Sequence, residues 1–101
     1  MPKEQALYVI VRKDLSKSRA AVQAGHALAQ FLLEHKTPWS NGTLVYLAAA
    51  NEVHLNSLKD KLFDKTHSEF REPDLGNQLT AIAVLGSQHS ETSDFEALPL
   101  L

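Results

Sequence analysis

The sequence contains no cysteine. That excludes disulfide cross-links, thiol nucleophiles and cysteine-ligated metal centres, and it fits a cytoplasmic location. Neither sign of charge dominates: 10 Lys and Arg stand against 12 Asp and Glu, for a formal net charge of -2. The chain as a whole therefore exerts no pull on nucleic acid, and any RNA contact has to come from a local basic patch. Long hydrophobic runs are missing too. The uncharged stretch Ala20–Leu33 is shorter than the about 20 residues of a bilayer-spanning helix, so no membrane partner is expected. The first residues carry early charges and run straight into a strand-like segment, without the organisation of a signal peptide. His35, His54, His67 and His89 do not recur at a helical metal-binding spacing, so these four are expected at the surface and no metal site is expected. The single tryptophan, Trp39, stands in a loop and is expected to anchor packing.

What is present is enough for one domain and one core. "ALYVIVR" (Ala6–Arg12) is a continuous, β-branched-rich run, the pattern of a central strand covered on both faces. A long helix follows, with Ser16 or Ser18 as its cap, and fades before Pro38. "TLVYLAA" (Thr43–Ala49) is a second strand. Asn51–Lys65 is an amphipathic helix capped by Asn51, with Leu55, Leu58 and Leu62 on its apolar face. His67–Glu72 alternates as a short edge strand, Pro73–Gln78 is a turn, and "LTAIAVLG" (Leu79–Gly86) is a third strong strand. The alternation predicts an α/β fold: a three-layer α/β/α sandwich on a mixed, roughly four-stranded sheet, with the last two strands antiparallel. Residues 1–86 form the domain, and 87–101 a polar tail that is either flexible or docks its apolar end on the body or on a partner.

Within the long helix, Arg19, Gln23, His26 and Gln30 fall within roughly 60° of one another, and nearly everything else from Ala20 to Leu33 is apolar or small. Such a helix is expected to pack against the sheet and against a second surface, either another helix or another subunit. The polar line begins beside Lys13, Asp14 and Lys17, where the first strand ends. Ligands of open α/β sheets bind outside the carboxyl ends of strands, and helix N-termini favour anions, so a phosphate-bearing ligand is expected there.

"YVIVRKDLSKSRAAVQAGHALA" resembles the N-terminal signature of the type 2 (archaeal/eukaryotic-type) peptidyl-tRNA hydrolase family: a strand ending in Val-x-Arg-x-Asp-Leu, a lysine-containing loop, and a helix with Ala-x-Gln-x-x-His-Ala. Arg12, Asp14, Leu15, Lys17, Gln23, His26 and Ala27 fit that pattern. "EPDLGNQLTAIAVLG" (Glu72–Gly86) is similar, more loosely, to the family's Asp-Ala-Gly loop and last strand. The resemblance implies a peptidyl-tRNA hydrolase type 2-like fold, cofactor-free hydrolysis of the ester between a peptide and the 3′ ribose of tRNA, and a homodimer. It implies His26 and Asp74 as the groups that orient or deprotonate water, with Lys17 beside them. It further implies that Lys17 and Arg19, with Lys13 beside them, would hold phosphate or developing negative charge, and that Gln23, Gln78 and Thr80 would position substrate. Two departures stand out. The basic loop is shorter than the family's Met-Gly-Lys-Gly-Lys run, with Arg19 in place of the second lysine, and the stretch after Asp74 is trimmed. They leave room for an alternative, a non-catalytic RNA-, nucleotide- or protein-binding module, and for a hydrolase acting on a smaller ester or amide.

Overall fold

Side chains of a strand alternate between faces, and Gln5–Arg12 (β1) buries both sets. Leu7, Val9 and Val11 enter one apolar cluster, while Ala6, Tyr8 and Ile10 enter the other. A strand wet on neither side belongs at the centre of a sheet, and β1 lies there. A computed structural model describes residues 5–36, 39–62, 65–87 and 98–101. In it β1 pairs in parallel with Thr43–Ala49 (β2) and antiparallel with Gln78–Ser87 (β4), which pairs antiparallel with His67–Glu72 (β3). The order is β2-β1-β4-β3, a mixed four-stranded sheet.

The helix Lys17–Glu34 (α1) covers one face of this sheet, burying Ala20, Gln23, Ala24, Ala27 and Phe31. Three alanines bring its axis close to the strands. Phe31, with 0% exposure, fills the far end at a gain of about 1.5–3 kcal/mol over an exposed ring. Ser16 is the cap, its hydroxyl accepting from the Arg19 N–H at 3.3 Å. The helix Glu52–Asp60 (α2), capped by Asn51, covers the opposite face through Leu55 and Leu58. Leu62 packs beside them just beyond the helix end, which comes earlier than the sequence pattern predicts. Helix, sheet and helix make three layers.

The residue pattern of α1 asks for a second cover, from another helix or another subunit. Among the described residues it is covered once: Val22 is 56% exposed, Leu32 48% and Leu33 82%. The reason is topological. α2 lies across the sheet from α1, so no helix is left to pack on α1's outer side. Of the outcomes expected for the tail, the structure shows docking on the body. Leu98–Leu101 returns to the body, with the Ala48 N–H donating to the Pro99 carbonyl at 2.8 Å and the Leu101 N–H to Tyr46 at 3.1 Å. Leu98 packs on the α2-side core. The apolar end of the tail thus docks on the outer edge of β2. Trp39 packs on the α1 side and donates from Nε1 to the Thr43 carbonyl at 2.8 Å. Among the described residues no helix is long and apolar enough to cross a membrane.

Candidate functional site

The parallel pairing of β1 and β2 carries the chain past the sheet at Arg12, and the Lys13 N–H continues the ladder to Ala49 at 2.9 Å. The turn into α1 is built on Arg12, whose side chain is buried at the sheet's end. Its guanidinium grips Asp14 with two parallel bonds of 2.9 Å, from Nε to Oδ1 and from Nη2 to Oδ2. Nη1 donates to Gln78 Oε1 at 2.8 Å. Arg12 thereby ties the end of β1 to the start of β4, and the planar fork suits that double contact as a lysine would not. The pairing holds the Asp14 carboxyl below its ordinary range and raises Arg12.

Nearly two turns into α1, Gln23 points at the sheet. It is 5% exposed and its amide is satisfied on both sides. Thr80 Oγ1 donates to Gln23 Oε1 at 2.6 Å, and Gln23 Nε2 donates to Glu72 Oε1 at 2.8 Å. A buried amide without partners carries a cost of several kcal/mol, roughly 1–3 by mutational measures, so these contacts explain how a glutamine fits among the alanines. Glu72 ends β3 and accepts the Asp74 N–H on its other oxygen at 3.4 Å. It caps a short 3₁₀ turn, Pro73–Leu75, closed by Gly76 at φ 64° and followed by Asn77 at φ 63°. The Gln23 hydrogen bond, more than any other contact, keeps the Glu72 carboxyl below its ordinary range, and the Asp74 N–H adds to this.

Between α1 and this turn runs a groove of about 260 Å³, lined by Leu15, Arg19, Val22, Gln23, Glu72 and Asp74 among others. It offers one guanidinium, two carboxylates and apolar walls. A second groove, of about 450 Å³, lies on the other side of Leu15 and contains Lys13, Lys17 and Pro99–Leu101.

The residues singled out in the sequence are thus distributed unevenly. Arg19, Gln23 and Asp74 meet in the first groove. Lys13 and Lys17 line the second. Lys17 and His26 are nine residues apart on one helix, about 13 Å along its axis and on opposite sides. His26 lies flat on Phe70, with ring centroids 4.5 Å apart and planes at 10°. Gln78 is engaged by Arg12. Thr80 has 0% exposure; its hydroxyl turns inward to Gln23, so it orients that amide instead of meeting a ligand. Gln30 donates to Glu34, which Ser68 also engages, and these bonds hold the Glu34 carboxyl low. His35, His54 and His67 are half-buried, not simply superficial: His35 Nε2 meets the His67 carbonyl at 3.0 Å, and His54 Nδ1 accepts the Ala50 N–H at 3.0 Å. His89 lies outside the described residues. Among the described residues no cluster of three or more His, Asp or Glu side chains is placed to hold a metal ion.

Two members of the site escaped the sequence reading as working residues. Glu72 had a signal, an acidic side chain directly before Pro73 at a strand end, which is a capping position. Arg12 had one as well, a lone charge closing an apolar strand.

No protein-family model matches the chain, and no curated protein matches it. Among solved structures, the chain is similar to a protein of unknown function from Agrobacterium tumefaciens strain C58, with a TM-score of 0.73 at 13% identity, over 97% of this chain and 98% of that one. At that identity the likeness shows a shared fold and nothing about activity.

Proposed function

We propose that this protein is a hydrolase of the peptidyl-tRNA type, cleaving the ester between a peptide and the 3′ ribose of tRNA. The observation that carries the reading is the convergence of Gln23, from the signature helix, with Glu72 and Asp74, from the loop before the last strand. Acyl transfer to water needs a base, a counter-charge for the oxyanion and a fixed scaffold. In this reading Asp74 takes the proton of the attacking water, Arg19 faces the negative charge that develops on the carbonyl oxygen, and the proton returns from Asp74 to the ribose 3′ oxygen as the ester C–O bond breaks. Gln23, held by Thr80, fixes Glu72 and with it the turn that carries Asp74. His26, one turn along α1 beyond Gln23, is the second candidate base.

The test is turnover of N-acetyl-aminoacyl-tRNA by the wild type and by His26→Ala and Asp74→Ala, with circular dichroism to show that the variants fold. Loss of about 100-fold or more in at least one variant is expected. Unchanged turnover in both overturns the assignment.

The placement of Lys17 in the second groove, away from Asp74, favours one other reading: a module that binds an RNA end or a protein without turnover. Stoichiometric binding of uncharged tRNA with no hydrolysis of the acylated form distinguishes it. The proposal extends to a homodimer, in which a second copy covers the exposed Val22, Leu32 and Leu33 of α1.

A further inference from the structure

The larger groove has a feature that edge protection alone does not explain. Covering an exposed strand edge is a sufficient reason for this segment to pair with β2, and it leaves the side chains of Leu100 and Leu101 without a role. Here Leu98 enters the core, but Leu100 stays 74% exposed and Leu101 46% exposed. Both line the groove opposite Lys13 and Lys17. Among the described residues neither lysine has an acidic partner within ion-pair distance. On a chain of formal net charge -2, two ammonium groups without an acidic partner among the described residues, beside apolar walls, make a local site for a ligand with an anionic group and a flat or apolar body. Leu15 lines both grooves, so one elongated ligand can lie across it.

We propose that Leu98–Leu101 completes a second subsite, in which Lys13 and Lys17 hold phosphodiester groups near the RNA 3′ end while Pro99, Leu100 and Leu101 support a base. The inference rests on the hydrolase reading for the identity of the ligand and goes beyond it in giving the end of the chain a binding role. The backbone bonds from Ala48 to Pro99 and from Leu101 to Tyr46 fix this wall. The groove volume, about 450 Å³, falls in the range of small-ligand sites.

The test uses a 5′-fluorescein-labelled ACCA tetraribonucleotide, which carries no acyl ester, titrated by anisotropy at several salt concentrations. Wild type binds it. The double variant Lys13→Ala/Lys17→Ala binds about tenfold more weakly, and its salt slope falls by about 0.7 per lysine removed, the value for a single strand. Leu100→Glu, which keeps the backbone ladder and places a carboxylate in the groove, weakens binding comparably. Lys36→Ala/Lys61→Ala removes the same charge elsewhere and leaves binding unchanged. Deletion of residues 98–101 repeats the loss seen with Leu100→Glu. The proposal is overturned if wild type does not bind the tetranucleotide, or if folded Leu100→Glu and the lysine double variant bind it like wild type. Turnover without this binding pattern removes the subsite and leaves the hydrolase reading standing; the binding pattern without turnover does the reverse.

Discussion

Gln23 and Glu72, 49 residues apart in sequence, are joined by a 2.8 Å hydrogen bond from Nε2 to Oε1. This bond locks α1 to the end of β3, and its other side is anchored by Thr80 at 2.6 Å. Helix, edge strand and β4 therefore share one buried amide.

Replacing Gln23 by leucine keeps the volume and removes the amide. The Thr80 hydroxyl retains only a 3.3 Å contact with the Phe70 carbonyl. The expected loss of stability is about 1–3 kcal/mol, measured by urea unfolding. Thr80→Val should cost less on top of Gln23→Leu than it does alone, because the two share one interaction. Strict additivity of the two losses contradicts the coupling.

The low-lying carboxyls set a pH dependence. Asp14, Glu34 and Glu72 titrate below their ordinary values of 3.8, 4.5 and 4.5 in the folded chain, each because a hydrogen-bond donor favours its charged form. A depressed carboxyl binds fewer protons folded than unfolded, so its contribution is complete above the unfolded value and is lost as pH falls through the folded one. Stability should be flat from neutral pH to about 5 and fall below it. Glu72→Gln should make the acid limb shallower in denaturation curves taken across that range. An identical limb would show that Gln23 does not favour the charged form.

Gly76 closes the turn that carries Asp74, with φ at 64°. A Cβ there meets nothing within 4 Å, so the cost of Gly76→Ala is conformational and not steric crowding. It should destabilise by about 1 kcal/mol. If Asp74 acts on the substrate, turnover should fall with it. Gly25, also with open space around an added Cβ, is the control: Gly25→Ala in the helix should stabilise the isolated chain by up to about 1 kcal/mol.

Leu33, 82% exposed on α1, tests the dimer. Leu33→Lys should convert a dimer into a monomer in sedimentation velocity, with little change in the monomer's own stability, since an exposed side chain loses no core contact. A wild-type chain that sediments as a monomer at micromolar concentration removes the second copy from the proposal.

Much of the fold was legible. The apolar run ending at Arg12, the strand Thr43–Ala49 and the alternation His67–Glu72 stand in the structure where the residue pattern puts them. The caps Ser16 and Asn51 do so too. These are local signals, because side-chain period and capping chemistry act within one or two turns of chain. The polar line on α1 was visible as a line, but not which of its members face inward. Periodicity gives relative angles around a helix; the sheet decides which angle is buried.

By itself, the sequence determined the number and kind of elements, the absence of thiol chemistry and the presence of a Gln-x-x-His helix after a strand ending in Arg-x-Asp. The tertiary structure alone decided that Gln23 meets Glu72 and Thr80, that Lys17 faces a different groove from Asp74, and that Pro99, Leu100 and Leu101 form a wall of Lys17's groove. These facts depend on strand order and on which face of the sheet each helix takes. They are set by the joint burial of the two apolar clusters on either side of β1, a long-range balance that no local pattern along the chain encodes.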